Sequence, residues 1–137
     1  MVDQEHIEQA GGIVLWGDQV VLRRTEKHNL VFPKGRVKAG ETVADAAVRE
    51  VEEETGLVAD PIETAGTVVC EEDNTVRRIT FYLMKVRAET PAWLNHRGTD
   101  AFPVPLDWAE SLLKHEHNRD LYARVLPRIE HLTQAAA

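Results

Sequence analysis

Glu50, Glu53 and Glu54 stand at i, i+3 and i+4 within the run REVEEETG. On an α-helix of about 3.6 residues per turn, that spacing crowds three carboxylates onto roughly one turn. Like charges so placed repel by a few tenths of a kcal/mol per pair, and glutamates near a helix C-terminus also oppose the macrodipole. A bound cation removes both penalties. Ligands that are all oxygen suit Mg²⁺, with Mn²⁺ as a substitute; both ions keep several waters and bridge to phosphate groups.

An acidic run alone reads as a solvated helix face. Here it belongs to a longer spaced pattern, G-x5-E-x7-R-E-V-x-E-E-x-G-L, filled by Gly35, Glu41, Arg49, Glu50, Val51, Glu53, Glu54, Gly56 and Leu57. From average residue usage, a chance match at every place is on the order of one in ten million. Arg49 precedes Glu53 by four residues and can orient it through a charge-assisted pair. The element that must carry these groups is also legible. Strong helix formers fill TVADAAVREVEEET, with Thr42 available as N-cap and Gly56 as the residue past the end, which predicts a helix over about 43–55. Its apolar face would gather Ala44, Ala47, Val48 and Val51.

At these positions the chain resembles the Nudix hydrolase signature, that of enzymes that cut a nucleoside diphosphate linked to another group X. The resemblance implies an α/β fold, an α/β/α sandwich with a mixed sheet, a motif loop-helix-loop and C-terminal helices, in one domain over residues 1–137. It also implies a divalent metal and attack of water on a phosphorus of a pyrophosphate bridge. Glu50, Glu53 and Glu54, helped by the Gly35 carbonyl, are the expected metal ligands. Glu53 is the first choice of general base, oriented by Arg49; Glu41 is the second, with loop support as its other role. Asp100, ahead of the V-P-L segment, stands where many relatives carry an acid that acts as ligand or base.

Substrate choice in such enzymes lies in loops outside the signature. The segment Phe32-Pro33-Lys34-Gly35 is similar to one found in relatives acting on diadenosine polyphosphates and diphosphoinositol polyphosphates. Between Arg23 and Lys38, six basic residues (Arg23, Arg24, Lys27, Lys34, Arg36 and Lys38) face Glu26 as the one acid, whereas from Glu41 to Glu63 the acids outnumber Arg49 by eight to one. A cationic loop leading into an acidic helix can hold a polyphosphate on one side and its metal on the other. Lys34, Lys38, Arg23 and Arg24 are therefore the expected phosphate contacts. Tyr82, Phe81 and Trp93 are candidates to face an adenine, with Phe81 read as core. A dinucleoside polyphosphate is the favoured substrate. The alternatives are a nucleoside triphosphate pyrophosphatase acting on modified nucleotides and a non-catalytic nucleotide-binding regulator. Regulators of that kind often lack a motif glutamate, and here none is missing.

The remaining composition sets bounds. With 43% hydrophobic content in 137 residues, one domain can bury a core. No apolar run approaches the roughly 20 residues of a membrane span. Cys70 is the only cysteine, which forbids an internal disulfide and fits a reducing, cytoplasmic setting; it reads as a buried strand residue. A net charge of −7 argues against a stable nucleic-acid partner, leaving a small polyphosphate substrate and a monomer or homodimer. His115 and His117, two residues apart, cannot face one ion as an i, i+4 pair would, and read as exposed. Trp16 and Trp108 read as packing against the sheet and helices.

GGIVLWGDQVVLRR predicts a hairpin turned at Gly17-Asp18, and LVFP a short third strand stopped by Pro33. LVADPIETAGTVVCEED predicts one short and one longer strand, and TVRRITFYLMKVR, after a turn at Asp73-Asn74, a central one. Residues 88–100 read as a loop. A helix opened by Pro105 runs to about His115, and another from about Arg119 to Leu132.

Overall fold

Alternation along the first strand, β1 (Glu5–Trp16), decides the architecture. Ile13 and Leu15 belong to one hydrophobic cluster and Ala10 and Val14 to another, all buried, so the strand is covered on both faces. The computed structural model describes residues 3–89 and 100–135. Along the chain follow β2 (Gln19–Arg24), β3 (Leu30–Val31), β4 (Lys34–Arg36), α1 (Val43–Thr55), β5 (Leu57–Glu72), β6 (Thr75–Glu89) and β7 (Ala101–Pro105). A short 3-10 turn, Leu106–Trp108, leads into α2 (Ala109–Leu112) and α3 (Glu116–Ala135).

The strands form a mixed sheet in the order β3-β2-β1-β6-β5, with β4 added to β1 and β7 to β2. Among the described strand pairs only β1–β6 is parallel, in register from Glu5 opposite Thr75 to Leu15 opposite Lys85. Two tight turns set the hairpins. Gly17, at φ 63°, opens the β1–β2 turn, and Asp73 and Asn74, at φ 49° and 63°, give β5–β6 the mirror-image turn that matches strand twist. On one face, Ala46, Ala47 and Val51 of α1 pack over Ala10, Val14, Val21, Ala59 and Met84. On the other, Leu121, Tyr122 and Ile129 of α3 cover Ile13, Phe81 and Leu83. Phe32 joins that layer, edge-on to Phe81 at 5.6 Å between centroids, and the Tyr122 hydroxyl donates to the Leu106 carbonyl at 2.6 Å. This is the expected α/β/α sandwich.

Several elements differ from expectation. The polar stretch Glu5–Ala10 is the first half of β1, because its backbone is paired on both sides, to β6 and, from Gln9, to β4. Residues 57–72 make one bulged strand rather than two; the register shifts between Val58 and Ala59, Pro61 and Glu63, and Thr64 and Gly66 absorb Pro61 and Gly66. Residues 101–105, for which no element was expected, form a strand; the helical stretch opens directly after Pro105, as expected, but breaks at 113–115. Ala46 rather than Ala44 is fully buried on α1. Trp16 packs against the α1-side cluster, but Trp108 is 58% exposed. Cys70 is half-buried. The reading of 88–100 as a loop and Trp93 fall mostly outside the described residues, while Ala88 and Glu89 still belong to β6.

Candidate active site

The motif helix is fixed at both ends by local chemistry. The Thr42 hydroxyl accepts from the Asp45 N–H at 3.1 Å, and Gly56 closes the helix in the left-handed region at φ 76°, its N–H bonded to the Glu52 carbonyl at 2.8 Å. Its bounds match those expected from sequence. The second half of α1 lies against β4. There Gly35 is paired opposite Ala10, and a Cβ at this position would land on the Glu50 carboxylate. Glycine is needed because a carboxylate and a backbone share the space a methyl would fill.

Arg49 is the hub of the cluster. Its Nε and Nη2 grip both oxygens of Glu41 at 2.8 and 2.9 Å, Nη1 reaches Glu50 at 2.7 Å and Glu53 at 3.2 Å, and Nη2 also donates to the Arg36 carbonyl at 2.8 Å. Glu41 additionally accepts from the Lys38 N–H at 3.0 Å. The Arg49 hydrogen bonds first, and the Lys38 bond second, hold the Glu41 carboxyl down at about 2. The Arg49 guanidinium is correspondingly held above its usual range, chiefly by Glu41. The three helix acids differ in freedom. Glu50 and Glu54 side chains are 14% and 19% exposed, whereas Glu53 is 54% exposed and, among the described residues, is paired with Arg49 alone.

Glu54 is held by β2 and β4 instead of by Arg49. One oxygen pairs with Arg23 Nε at 2.6 Å and the other accepts from the Lys34 N–H at 3.2 Å. Burial pushes its carboxyl above the ordinary value, with Glu50 adding to the rise, while Arg23 and Lys34 pull the other way. Burial likewise lowers the Lys34 amine against the opposing pull of Glu54.

Among the described residues, no three His, Cys, Asp or Glu side chains converge closely enough to hold a metal ion; Glu50 and Glu53 are paired with Arg49, and Glu54 with Arg23. The donor chemistry nonetheless fits a hard divalent cation. The groups on offer are oxygens, the Gly35 backbone stands against Glu50, and the burial of Glu54 near Glu50 leaves negative charge that a cation would relieve.

The expected substrate contacts divide. Arg23 and Lys34 line a cleft of about 520 Å³ that Glu54 also borders. Arg24 instead pairs with Asp100 at 3.6 Å and lies over the Phe102 ring at 5.2 Å; Lys38 is exposed on the motif loop. The Asp100 carboxylate is thus engaged with Arg24. Tyr82 packs half-buried against the α1-side cluster, Phe81 is core on the opposite face, and neither lines the cleft. Gln9, Arg77, His115, His117 and Asn118 do line it, and sequence reading did not single them out as site residues. His115 is exposed as expected, but His117 is half-buried, and the two rings stack at 5.3 Å. One signal was available: Gln9 interrupts the inward phase Ile7, Gly11, Ile13, where alternation calls for a small or apolar residue.

Together the sandwich and the acidic end of its motif helix define a Nudix protein, and residues 6–125 match the family model described as NUDIX domain. The chain belongs to the Nudix family. It is 28% identical over 160 aligned positions to an RNA pyrophosphohydrolase of Xanthomonas axonopodis pv. citri (strain 306), an alignment covering 100% of this chain and 78% of that protein. Among solved structures, a NUDIX hydrolase from Nitrosomonas europaea superposes with a TM-score of 0.70 at 20% identity, covering 85% of this chain and 86% of that one. The C. elegans Ap4A hydrolase does so at 0.71 and 18% identity, with 90% and 98% covered. No helix among the described residues is long and apolar enough to cross a membrane.

Proposed function

We propose that this Nudix pyrophosphohydrolase cuts the phosphate bridge of a nucleotide-linked polyphosphate, with a dinucleoside polyphosphate as preferred substrate. The observation that carries this reading is the contact of opposite charges at the end of α1: Arg23 and Lys34 enter the same cleft as Glu54, so the basic side chains suited to phosphates open onto one of the motif acids.

Glu50, Glu53 and Glu54, with the Gly35 carbonyl, would hold Mg²⁺ or Mn²⁺. When bound, the ion supplies Lewis-acid neutralisation of bridging phosphate oxygens and a lowered pKa for attacking water. Arg49 fixes the acids by gripping Glu41, Glu50 and Glu53 from one guanidinium. Glu53 is the proton acceptor: it is the most exposed of the three and, apart from Arg49, unencumbered. Glu41, held ionised near 2 and clamped at both oxygens, is suited to supporting the loop and too weak a base for the proton. Water oxygen bonds to phosphorus, the bridging P–O bond breaks, and the departing phosphate leaves along Arg23 and Lys34.

A second reading, removal of pyrophosphate from RNA 5′ ends, is favoured by the RNA pyrophosphohydrolase that aligns along the whole chain. Sanitising of modified nucleoside triphosphates is a third. One experiment tests all three: incubation with Mg²⁺ and a panel of diadenosine tetraphosphate, 5′-triphosphorylated RNA, nucleoside triphosphates and a diphosphoinositol polyphosphate, with products resolved by chromatography. ATP released fastest from the diadenosine compound is the expected result. Faster pyrophosphate release from RNA or from a free triphosphate would overturn the substrate assignment, and no cleavage of any anhydride would overturn the activity.

A further inference from the structure

Cys70 stands where the proposed chemistry has no use for it, half-buried on the wall of the cleft that Glu54, Arg23 and Lys34 share. Strand register fixes its surroundings. It lies directly opposite Arg77 of β6, with Ile7 of β1 beyond, and the next rung on the same face runs Val68, Ile79, Gln9. Directly opposed residues hold their Cβ atoms about 5 Å apart, so the Arg77 side chain rises beside the sulfur. Two kinds of unmet demand surround that thiol. The acids of the cleft are engaged or outlying: Glu54 pairs with Arg23 at 2.6 Å, Glu71 accepts from Gln4, and Glu72 is exposed at the strand end. Among the described residues, Lys34 and Arg77, both half-buried, have no ion-pair partner. Gln9 and Asn118, 8% and 2% exposed, also line the cleft, and their Oε1 and Oδ1 are buried acceptors without a hydrogen bond among the described residues. An unpaired buried acceptor costs about 1–3 kcal/mol, so the cleft calls for a group that brings N–H donors together with anions. Inorganic phosphate brings no N–H, whereas a peptide with free carboxylates brings both.

We infer that Cys70 is a modification site for a small acidic peptidyl disulfide of the glutathione class, whose adduct fills the cleft and shuts the substrate out. In the exchange the Cys70 thiolate sulfur attacks one sulfur of the disulfide and a mixed S–S bond forms. The old S–S bond breaks, and the second peptide leaves as a thiolate that takes up a proton. The carboxylates of the adduct meet Lys34 and Arg77, and its amide N–H groups reach Gln9 and Asn118. The cleft, at about 520 Å³, falls within the roughly 300–1,000 Å³ usual for small-ligand sites. A thiol reductant reverses the bond, so the site is a switch and not a lesion. The modification itself stands apart from the proposed activity; its inhibitory effect rests on that reading, because adduct and polyphosphate compete for the same cations.

The test treats the full chain in EDTA with glutathione disulfide and, separately, with cystamine, a cationic disulfide, and follows the adduct by intact-protein mass. A net charge of −7 favours the cation at long range, so a preference for the anion must come from the cleft. Relative to cystamine, folded wild type should take up one glutathionyl group at least about fivefold faster than the urea-unfolded chain does. Arg77→Gln should lose most of that ratio, tripolyphosphate should slow the reaction severalfold, and Cys70→Ser should gain no mass. The Mg²⁺-dependent hydrolysis panel is run before and after treatment, each variant against its own untreated rate. Hydrolysis by wild type should fall in step with the fraction modified and return with dithiothreitol, while that of Cys70→Ser should not respond. No adduct on the folded chain, a ratio no higher than in urea, an unchanged ratio in Arg77→Gln, no protection by tripolyphosphate, or an adduct that leaves hydrolysis unchanged overturns the inference. The expected adduct on a chain that cleaves no anhydride even untreated would remove the proposed activity and leave the modification site, and hydrolysis with no adduct would do the reverse.

Discussion

Arg49 ties four groups of the motif with one guanidinium, and that arrangement makes the roles of Glu53 and Glu41 separable by experiment. Glu53→Gln keeps the shape and a hydrogen bond to Arg49 but cannot accept a proton. Turnover should fall by about 10²- to 10⁴-fold or more, with the denaturation midpoint little changed, because the side chain is 54% exposed. Near-normal turnover would remove Glu53 as base. For Glu41 the expected signature is pH-dependent stability. Its folded-state carboxyl is depressed to about 2 from an ordinary 4.5, so its contribution is present above the ordinary value and lost as pH falls through that window. The stability gap between wild type and Glu41→Gln in urea titrations should therefore be wide near neutrality and shrink by pH about 3. A gap independent of pH would mean that the Arg49 clamp is not what holds the carboxyl down. These residues were legible because they lie within one helix and its entry loop, where spacing translates directly into geometry. Gln9, Arg77 and Asn118 were not, since they meet only after β1, β6 and α3 pack.

At the scale of elements, α1 was readable to the residue because both of its ends are closed by its own sequence. Thr42→Ala removes the acceptor for the Asp45 N–H and should cost about 1 kcal/mol. Gly56→Ala forces an L-residue to φ 76°, at about 1–2 kcal/mol. Chemical denaturation checks both, and a cost near zero for Gly56→Ala would mean that the helix end relaxes out of the left-handed region. The strands were less legible for a common reason. Glu5–Ala10 carries little apolar alternation because its stability comes from backbone pairing to two neighbours. Pro61 reads as a breaker yet sits in an edge strand, where the lost N–H and the bulges beside it disturb no second partner. Pro103 and Pro105 hide β7 likewise, as that strand pairs, among the described residues, with β2 alone.

Across the whole molecule, the site stores charge that the fold must carry. The chain has a net charge of −7, and two of its least exposed acids, Glu50 and Glu54, sit near one another on one helix end. In the metal-free protein, Arg49 and Arg23 offset that charge. A cation that binds the native state and not the unfolded chain must raise stability by mass action, by about 2.7 kcal/mol when its concentration is a hundred times its dissociation constant. Thermal unfolding should thus shift upward with millimolar Mg²⁺, return on addition of EDTA, and shift far less in Glu54→Gln, whose own unfolding temperature without metal should change little or rise as the buried charge is removed. Ca²⁺, larger and content with looser geometry, is the control: a shift as large as that with Mg²⁺ would indicate a generic acidic patch, and no shift with either ion would leave the carboxylates of α1 without the metal on which the proposed chemistry depends.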